Sequence, residues 1–456
     1  MKTIVLAEKP SVAQELARVL KCNKKGKGLF EGSNYVVTWA LGHLVTLAEP
    51  DDYDQKYRQW RMEDLPMLPE KLNLKVIGKT SFQFRQISQL MKRSDITDMV
   101  IATDAGREGE LVARWIMKLA GWRKPFKRLW ISSQTDQAIM QGFAGLKPGH
   151  DYDNLFSAAV CRAEADWLIG LNVTRALTCK FDAQLTAGRV QTPTLAMIIA
   201  REREIKNFKP VDYWMLTADF GDYQGYWRDE NGNVRIFDQK KALEIAEKIK
   251  DQPGAIARVT VEEKRENPPL AYDLTELQRD ANRRYSFSAQ KTLSVLQDLY
   301  ERHKLVTYPR TDSRYITGDM VNTLPERLKN ISKGPYAALV KPLLEKKLSP
   351  GKNFVNDSRV TDHHAVIPTE QPLNLAALDA DEKKIYDLVV KRFLTVLYPV
   401  YCYDRITVVT AVRGENFYSR GRVVKDLGWR AVTVKPAGGD ESDEDLLPEQ
   451  TLKYQE

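Results

Sequence analysis

Two stretches of the chain repeat one pattern: a short apolar run, an acid-bearing loop, then a helix with one apolar face. The first is residues 3–7 (TIVLA), followed by EKPSV and a helix through Leu20 that Ser11 and Gln14 are expected to open as a capping box. The second is residues 98–103 (DMVIAT), followed by DAGREGE and a helix expected to carry Leu111, Trp115 and Leu119 on its covered face. A strand that is apolar throughout needs cover on both faces, and a strand–loop–helix order supplies it when successive strands lie parallel. Residues 127–133 (KRLWISS) read as a further strand. The first 150 residues therefore predict an α/β domain with a mainly parallel sheet.

In such a sheet ligands gather at the carboxyl ends of the strands. Both loops put acids there: Glu8 beside Lys9, and Asp104 with Glu108 and Glu110. Carboxylates next to a glycine-containing turn suit Mg²⁺, which takes few protein ligands and keeps waters. Acids in the first turn of a helix are also what the helix dipole favours, so either cluster alone reads both ways. The two together favour the metal.

The remainder is organised differently. Residues 155–206 are rich in alanine, leucine and charge and read as helical, with an interruption near TAGRVQTP. From 213 to 261 and from 401 to 434, aromatic and β-branched residues alternate with polar ones, which predicts strands on either side of a helical insert. Within the insert, Asp273 with Glu276 is expected to cap one helix and Ser288 to open another bearing Leu293, Leu296 and Tyr300. Asn267-Pro268-Pro269 reads as a linker, and the polar, acidic last 20 residues as a loop or frayed end.

At 456 residues there is room for two to four domains, and the hydrophobic fraction of 43% is enough for ordinary cores. No run approaches the ~18 to 20 apolar residues that span a bilayer, and charge follows the first apolar residues too soon for a signal peptide, so a cytoplasmic protein is expected. Cys22, Cys161, Cys179 and Cys402 are scattered without a CxxC pair, which sets aside a zinc knuckle and a disulfide framework. The net charge of +8 favours a polyanionic partner.

Seven segments in order carry a resemblance: AEKPSVA, WALGHL, ATDAGREGELVAR, RAEADWLIGLNVTRALT, TAGRVQTPTL, LQDLYERHKLVTYPRTDSR and DHHAVIPT. The chain resembles type IA DNA topoisomerases of the bacterial topoisomerase III kind, from residue 1 to about Trp429. That resemblance implies a multidomain toroid combining α/β, helical and β-rich parts. Its divisions are a toprim domain at 1–150, a partial helical single-strand groove at 151–212, a β-rich arch from 213–268 and 401–456, and a helical domain at 269–400 bearing the nucleophile.

It also implies roles. Tyr308 of YPRT is the nucleophile, and a phenolate, with a reference pKa near ~10, is a leaving group good enough for the covalent phosphodiester to be reversed without ATP. Arg310 and Lys9 match residues that stabilise phosphate charge, Glu8 the acid assigned to the leaving-group proton or the metal, and His363 a hydrogen-bond donor to the scissile phosphate, with His364 as a packing neighbour. Mg²⁺ is implied on Glu8, Asp104 and Glu108. Single-stranded DNA is the implied partner, with a helicase as a candidate second one. Its groove is implied at Trp60, Arg162, Trp167, Arg175 and the run Gly188, Arg189, Val190, Gln191, Thr192, Pro193; a core position for Trp167 fits equally.

Two departures stand out. The family motif DxDxxE has glycine, Gly106, at its second acidic position, which points to weaker metal binding or one ion rather than two. The chain also lacks the GTxATRA-like helical segment that closes the groove in the family, so it reads as a fragment or a shortened form. A shortened paralogue that grips single-stranded DNA without strand passage is the alternative to an enzyme. A toprim nuclease or primase would account for the first domain only.

Overall fold

The computed structural model describes residues 1–131, 136–360 and 363–433. The chain divides into two compact units: Met1–Lys206 with Thr311–Asn322 and Val355–Ala365, and Asn207–Arg310 with Thr323–Phe354 and the chain from Val366 onward.

The first unit contains β1 (Lys2–Ala7), α1 (Pro10–Val19), β2 (Lys24–Gly26), β3 (Leu29–Glu31), β4 (Tyr35–Trp39), β5 (Val45–Leu47), β6 (Leu74–Val76), α2 (Ser81–Met91), β7 (Ile96–Ala102), α3 (Arg107–Ala120), β8 (Phe126–Arg128), α4 (Asp136–Ala144), β9 (Lys147–Pro148), α5 (Asp153–Phe181) and α6 (Gln191–Asn207). Seven strands form one sheet in the order β2-β3-β4-β1-β7-β8-β9. The inner strands β4, β1, β7 and β8 run parallel, whereas β2–β3–β4 and β8–β9 pair antiparallel. The expected parallel sheet is thus a parallel centre with antiparallel margins: short turns join β2, β3 and β4, whereas β9 returns beside β8 after α4.

Strand β1 shows why its sequence is apolar throughout. Ile4 and Leu6 enter a core shared with Ile87, Trp115 and Ile116, while Val5 and Ala7 enter a second core with Ala13, Leu16 and Ala17. Helix α1 begins at Pro10 with Lys9 as its N-cap and no side-chain cap, so the expected Ser11–Gln14 capping box does not form. Proline at the first helical position has its φ preset and lacks one of the N–H groups that a helix start leaves unpaired. In α3, Leu111 and Trp115 are buried but Leu119 is 37% exposed, and Val112 and Ile116 complete the covered face. Four-residue steps drift around a 3.6-residue helix, so the third residue of the series leaves the stripe. Strand β8 ends at Arg128, short of the predicted 127–133, and Ser132 and Ser133 lie outside the described residues.

The second unit holds β10 (Thr217–Asp219), β11 (Gln224–Trp227), α7 (Gln239–Ile249), β12 (Ala255–Glu266), α8 (Leu274–Tyr285), α9 (Ala289–Glu301), α10 (Leu324–Ile331), α11 (Ala337–Leu344), α12 (Ala380–Leu397), β13 (Tyr401–Val412) and β14 (Glu415–Asp426). Its antiparallel sheet, β10-β11-β14-β13-β12, joins strands more than 100 residues apart, with Val259 opposite Val408 and Trp227 opposite Phe417. Helix α7, which the alternation of 213–261 did not predict, is capped by Asp238 and lays Ala242 and Ile245 against Trp227, Ile236 and Phe417. The expected caps of α8 and α9 are present: Asp273 accepts from the Glu276 N–H at 2.7 Å and Ser288 from the Lys291 N–H at 3.1 Å. The acidic end lies outside the described residues, among which no helix is long and apolar enough to cross a membrane.

Candidate active site

In the first unit, β1 and β7 are parallel neighbours, so the loops after Ala7 and Ala102 open side by side. Glu8 Oε2 accepts from the Asp104 N–H at 3.0 Å. Lys9 Nζ lies 3.2 Å from Asp104 Oδ2 and 3.9 Å from Glu8 Oε1. His363 Nε2 lies 3.1 Å from the same Asp104 oxygen. The four side chains, far apart in sequence, are each a quarter exposed or less.

The two carboxyls are driven apart. Burial pushes Glu8 up from its ordinary value, and the Asp104 charge adds to this, more than Lys9, the Asp104 N–H and His363 take away. Burial also pushes Asp104 up, but the hydrogen bond and charge of His363, with Lys9, outweigh it and hold that carboxyl down to about 2. Glu8 thus keeps its proton to higher pH than an ordinary carboxyl, and Asp104 loses its own at lower pH. A cavity of about 30 Å³ opens at Asp104 and His363 against Val12 and Leu16.

The other predicted acids face elsewhere. Glu108, at the start of α3, is taken by Arg162 of α5, with His43 Nε2 at 3.5 Å. Glu110 is fully buried, 2.6 Å from Arg128 Nε and 3.2 Å from Arg114 Nε. Among the described residues no three His, Cys, Asp or Glu side chains group so as to hold a metal ion. Of the expected set, Glu8 and Asp104 lie side by side at the strand ends, while Glu108 is paired with Arg162.

Three residues of this region were not singled out from sequence. His43 stands in WALGHL beside Glu108. Arg128 alternates on β8 with the exposed Lys127, so two adjacent cations in the sequence divide between solvent and a buried pair with Glu110. Gly109 is required by space: a Cβ there would sit 2.1 Å from the Asp104 carbonyl oxygen, and the Gly109 carbonyl accepts from Thr103 Oγ1 at 2.8 Å. Gly106, where the family carries an acid, is the N-cap of α3 in ordinary extended backbone.

In the second unit, Tyr308 follows α9 on a segment stitched to residues 366–369. Val306 bridges Pro368, the Thr307 N–H donates to Ile367 O at 3.0 Å, and Thr307 Oγ1 accepts from the Ile367 N–H at 3.0 Å. Leu305, Val306 and Pro309 are buried, Tyr308 is half-buried edge-on to Tyr300 with ring centroids 5.5 Å apart, and Arg310 is exposed. The short apolar run thus anchors the tyrosine as single bridges rather than as a full strand. Beyond Arg310 the chain enters the first unit, where Thr311 Oγ1 donates to His363 O at 3.1 Å. His364 Nδ1 lies 2.9 Å from Ala365 O, a local contact.

The residues expected along a single-strand groove separate into two groups. Trp60 is 46% exposed, with the Arg175 guanidinium 5.1 Å from its ring centroid. Arg175 is itself buried and donates to Tyr57 O at 2.7 Å, so it props the indole instead of facing solvent. Of the two positions open to Trp167, it takes the core one: it is 9% exposed, donates to Ala48 O at 2.9 Å and meets Tyr53 edge-on. A base could reach it only by unpacking that core. Gly188, Arg189 and Val190 lead into α6, which starts at Gln191 and continues through Thr192 and Pro193. Val190 is 65% exposed, Arg189 Nε is 2.6 Å from Asp166 Oδ1, and the Gly188 N–H donates to Thr192 Oγ1 at 3.1 Å.

The sequence model described as DNA topoisomerase matches residues 150–454, and that of the Toprim domain matches residues 3–133. DNA topoisomerase 3 of Bacillus cereus is 53% identical over 454 residues, covering 99% of this chain and 62% of the relative. DNA topoisomerase 3 of Bacillus subtilis is 52% identical over 452 residues, with the same coverages. The chain therefore spans less than two thirds of the length of these relatives. Full-length topoisomerase I from Thermotoga maritima shares the fold at a TM-score of 0.66 and 22% identity, over 97% of this chain and 69% of that one. A family match over most of the chain, with relatives above half identity, settles the lineage: the chain belongs to the type IA DNA topoisomerases.

Proposed function

We propose that the chain is the cleaving part of an ATP-independent DNA topoisomerase, an isomerase that opens and reseals single-stranded DNA through a 5′-phosphotyrosine intermediate. Between the two steps another strand passes, giving relaxation of negative supercoils and decatenation. The observation that carries this reading is the acid pair of the first unit, Glu8 raised and Asp104 held at about 2, beside Lys9 and His363.

The chemistry runs as follows. The Tyr308 oxygen attacks the phosphorus, giving its proton to solvent; the bond from phosphorus to the 3′ oxygen breaks, and the 5′ phosphate stays on the tyrosine until resealing returns the proton to the phenol. Glu8 supplies the proton the departing 3′ oxygen needs, and takes it back on resealing. Lys9 and Arg310 offset the charge that develops on the phosphate oxygens, and His363, held by Asp104, donates to one of them. Trp60, propped by Arg175, offers a face for a base, and Arg162, Arg189 and Gln191 follow the strand with Val190 and Pro193.

Glu8 and Asp104 fit Mg²⁺: two like-charged carboxyls in one pocket, one disfavouring ionisation of the other, are relieved by a cation that needs only one or two carboxylates. Asp104, held ionised, would hold it, with Glu8 joining as a ligand only in its deprotonated form, after its proton has gone to the 3′ oxygen, and with Glu108 reaching it directly or through water once released from Arg162; the ion would neutralise charge on the phosphate. We assign the domains as residues 1–150, 151–212, 213–268 with 401–456, and 269–400, place the protein in the cytoplasm at the nucleoid, and keep a helicase as a candidate partner. The test is incubation with end-labelled single-stranded DNA and Mg²⁺ followed by denaturing electrophoresis. Label should stay on the wild type and be absent from Tyr308→Phe; DNA bound without any adduct would support the binding-only paralogue.

A further inference from the structure

Arg128 heads the side chains hidden completely from solvent, and where its donors go is informative. Its charge is matched by Glu110, yet a buried ion pair adds little to stability, because desolvation offsets the attraction. The remaining donors converge on the end of β7. Nη1 donates to Thr103 O and Leu129 O, both at 2.7 Å, with Ile101 O at 3.3 Å, and Nη2 donates to Asp104 O at 2.6 Å. The same Asp104 carbonyl accepts from the Gly106 N–H at 2.8 Å, while the Asp104 N–H is held by Glu8. Both polar groups of the Asp104 backbone are thus fixed, one from β8 and one from the loop after β1. Such convergence needs a planar fork of donors, which arginine has and lysine lacks.

We propose that Arg128 is a positioning residue for the cleavage reaction: by tying the Thr103 and Asp104 carbonyls it sets the direction in which the Asp104 carboxylate leaves β7, toward Lys9 and His363. The proposal rests on the cleavage reading above. Glu110 keeps the guanidinium charged and in place, and Arg114 completes the chain of ions behind it.

The experiment compares the full chain with Arg128→Lys and with the double variant Arg128→Met/Glu110→Met, which removes the buried pair as a unit. Four readouts are taken: thermal unfolding, single-stranded DNA binding by anisotropy, the single-turnover rate of adduct formation, and Mn²⁺ binding by electron paramagnetic resonance. Positioning predicts DNA affinity within about twofold of wild type, an adduct rate lowered about 10- to 100-fold, and Mn²⁺ affinity lowered about 10-fold, the lysine variant falling between. A folded variant with wild-type adduct rate and Mn²⁺ affinity overturns the proposal, as does loss of DNA binding in proportion to the adduct rate, which marks a merely structural role. A double variant that fails to fold leaves the decision to Arg128→Lys on the same criteria. Absence of any adduct from the wild type would defeat the cleavage reading instead, and Mn²⁺ affinity alone would then decide whether Arg128 sets Asp104.

Discussion

Glu8 and Asp104 are the same kind of acid with opposite proposed tasks, and what separates them is company. Asp104 has His363 and Lys9 against its carboxylate, whereas Glu8 is buried with Asp104 beside it. Glu8→Gln is therefore expected to slow adduct formation by about 10² to 10⁴ while leaving DNA affinity intact, in a single-turnover assay; equal losses of rate and affinity would reduce Glu8 to a structural role. Gly109→Ala is expected to cost about 1–3 kcal/mol in urea unfolding, since its Cβ meets backbone rather than a side chain that can swing away. An unchanged midpoint would mean that the Asp104 turn can yield. Glu8, Lys9 and Asp104 were legible as neighbours because short motifs hold them just past the ends of β1 and β7. Trp167 and Glu110 were not, because a residue's type does not say whether it faces a groove or a core.

Elements were legible where periodicity spoke and obscure where a neighbour decided. The two strand–loop–helix repeats announced β1, α1, β7 and α3, and the caps of α8 and α9 stood in the sequence. The antiparallel margins of the first sheet did not, because three-residue strands such as β2 and β3 carry no period to read. What ties that margin down is electrostatic. Hydrogen bonds from Arg93 and Lys2, at 2.7 and 2.5 Å, hold Glu31 of β3 down to about 2. A depressed carboxyl stabilises the fold fully above its unfolded value of about 4.5 and loses that contribution as the pH falls toward 2. Glu31→Gln should thus cost about 1–2 kcal/mol near neutral pH, with the gap from wild type closing as urea melts are repeated at lower pH. A gap independent of pH would contradict the assignment.

At the scale of the whole molecule, composition spoke about partner more than shape. A net charge of +8 suits a polyanion, and binding to single-stranded DNA is expected to weaken with salt, log affinity falling by about 0.7 per phosphate contacted for each unit of log salt. Arg189→Ala should make that slope shallower, and an unaltered slope would remove Arg189 from the strand's path. The division of the chain was harder to read, because each unit is assembled from separated stretches: Thr311–Asn322 and Val355–Ala365 return to the first unit from within the second's sequence. Local pattern cannot announce such returns. The chemistry turns on one bond, and the most direct measurement is to trap the covalent adduct, digest it with trypsin and identify the DNA-linked peptide by mass spectrometry. A 5′ phosphate on Tyr308, in the peptide of residues 305–310, is the expected result; attachment to another residue, or through a 3′ phosphate, would contradict the assignment.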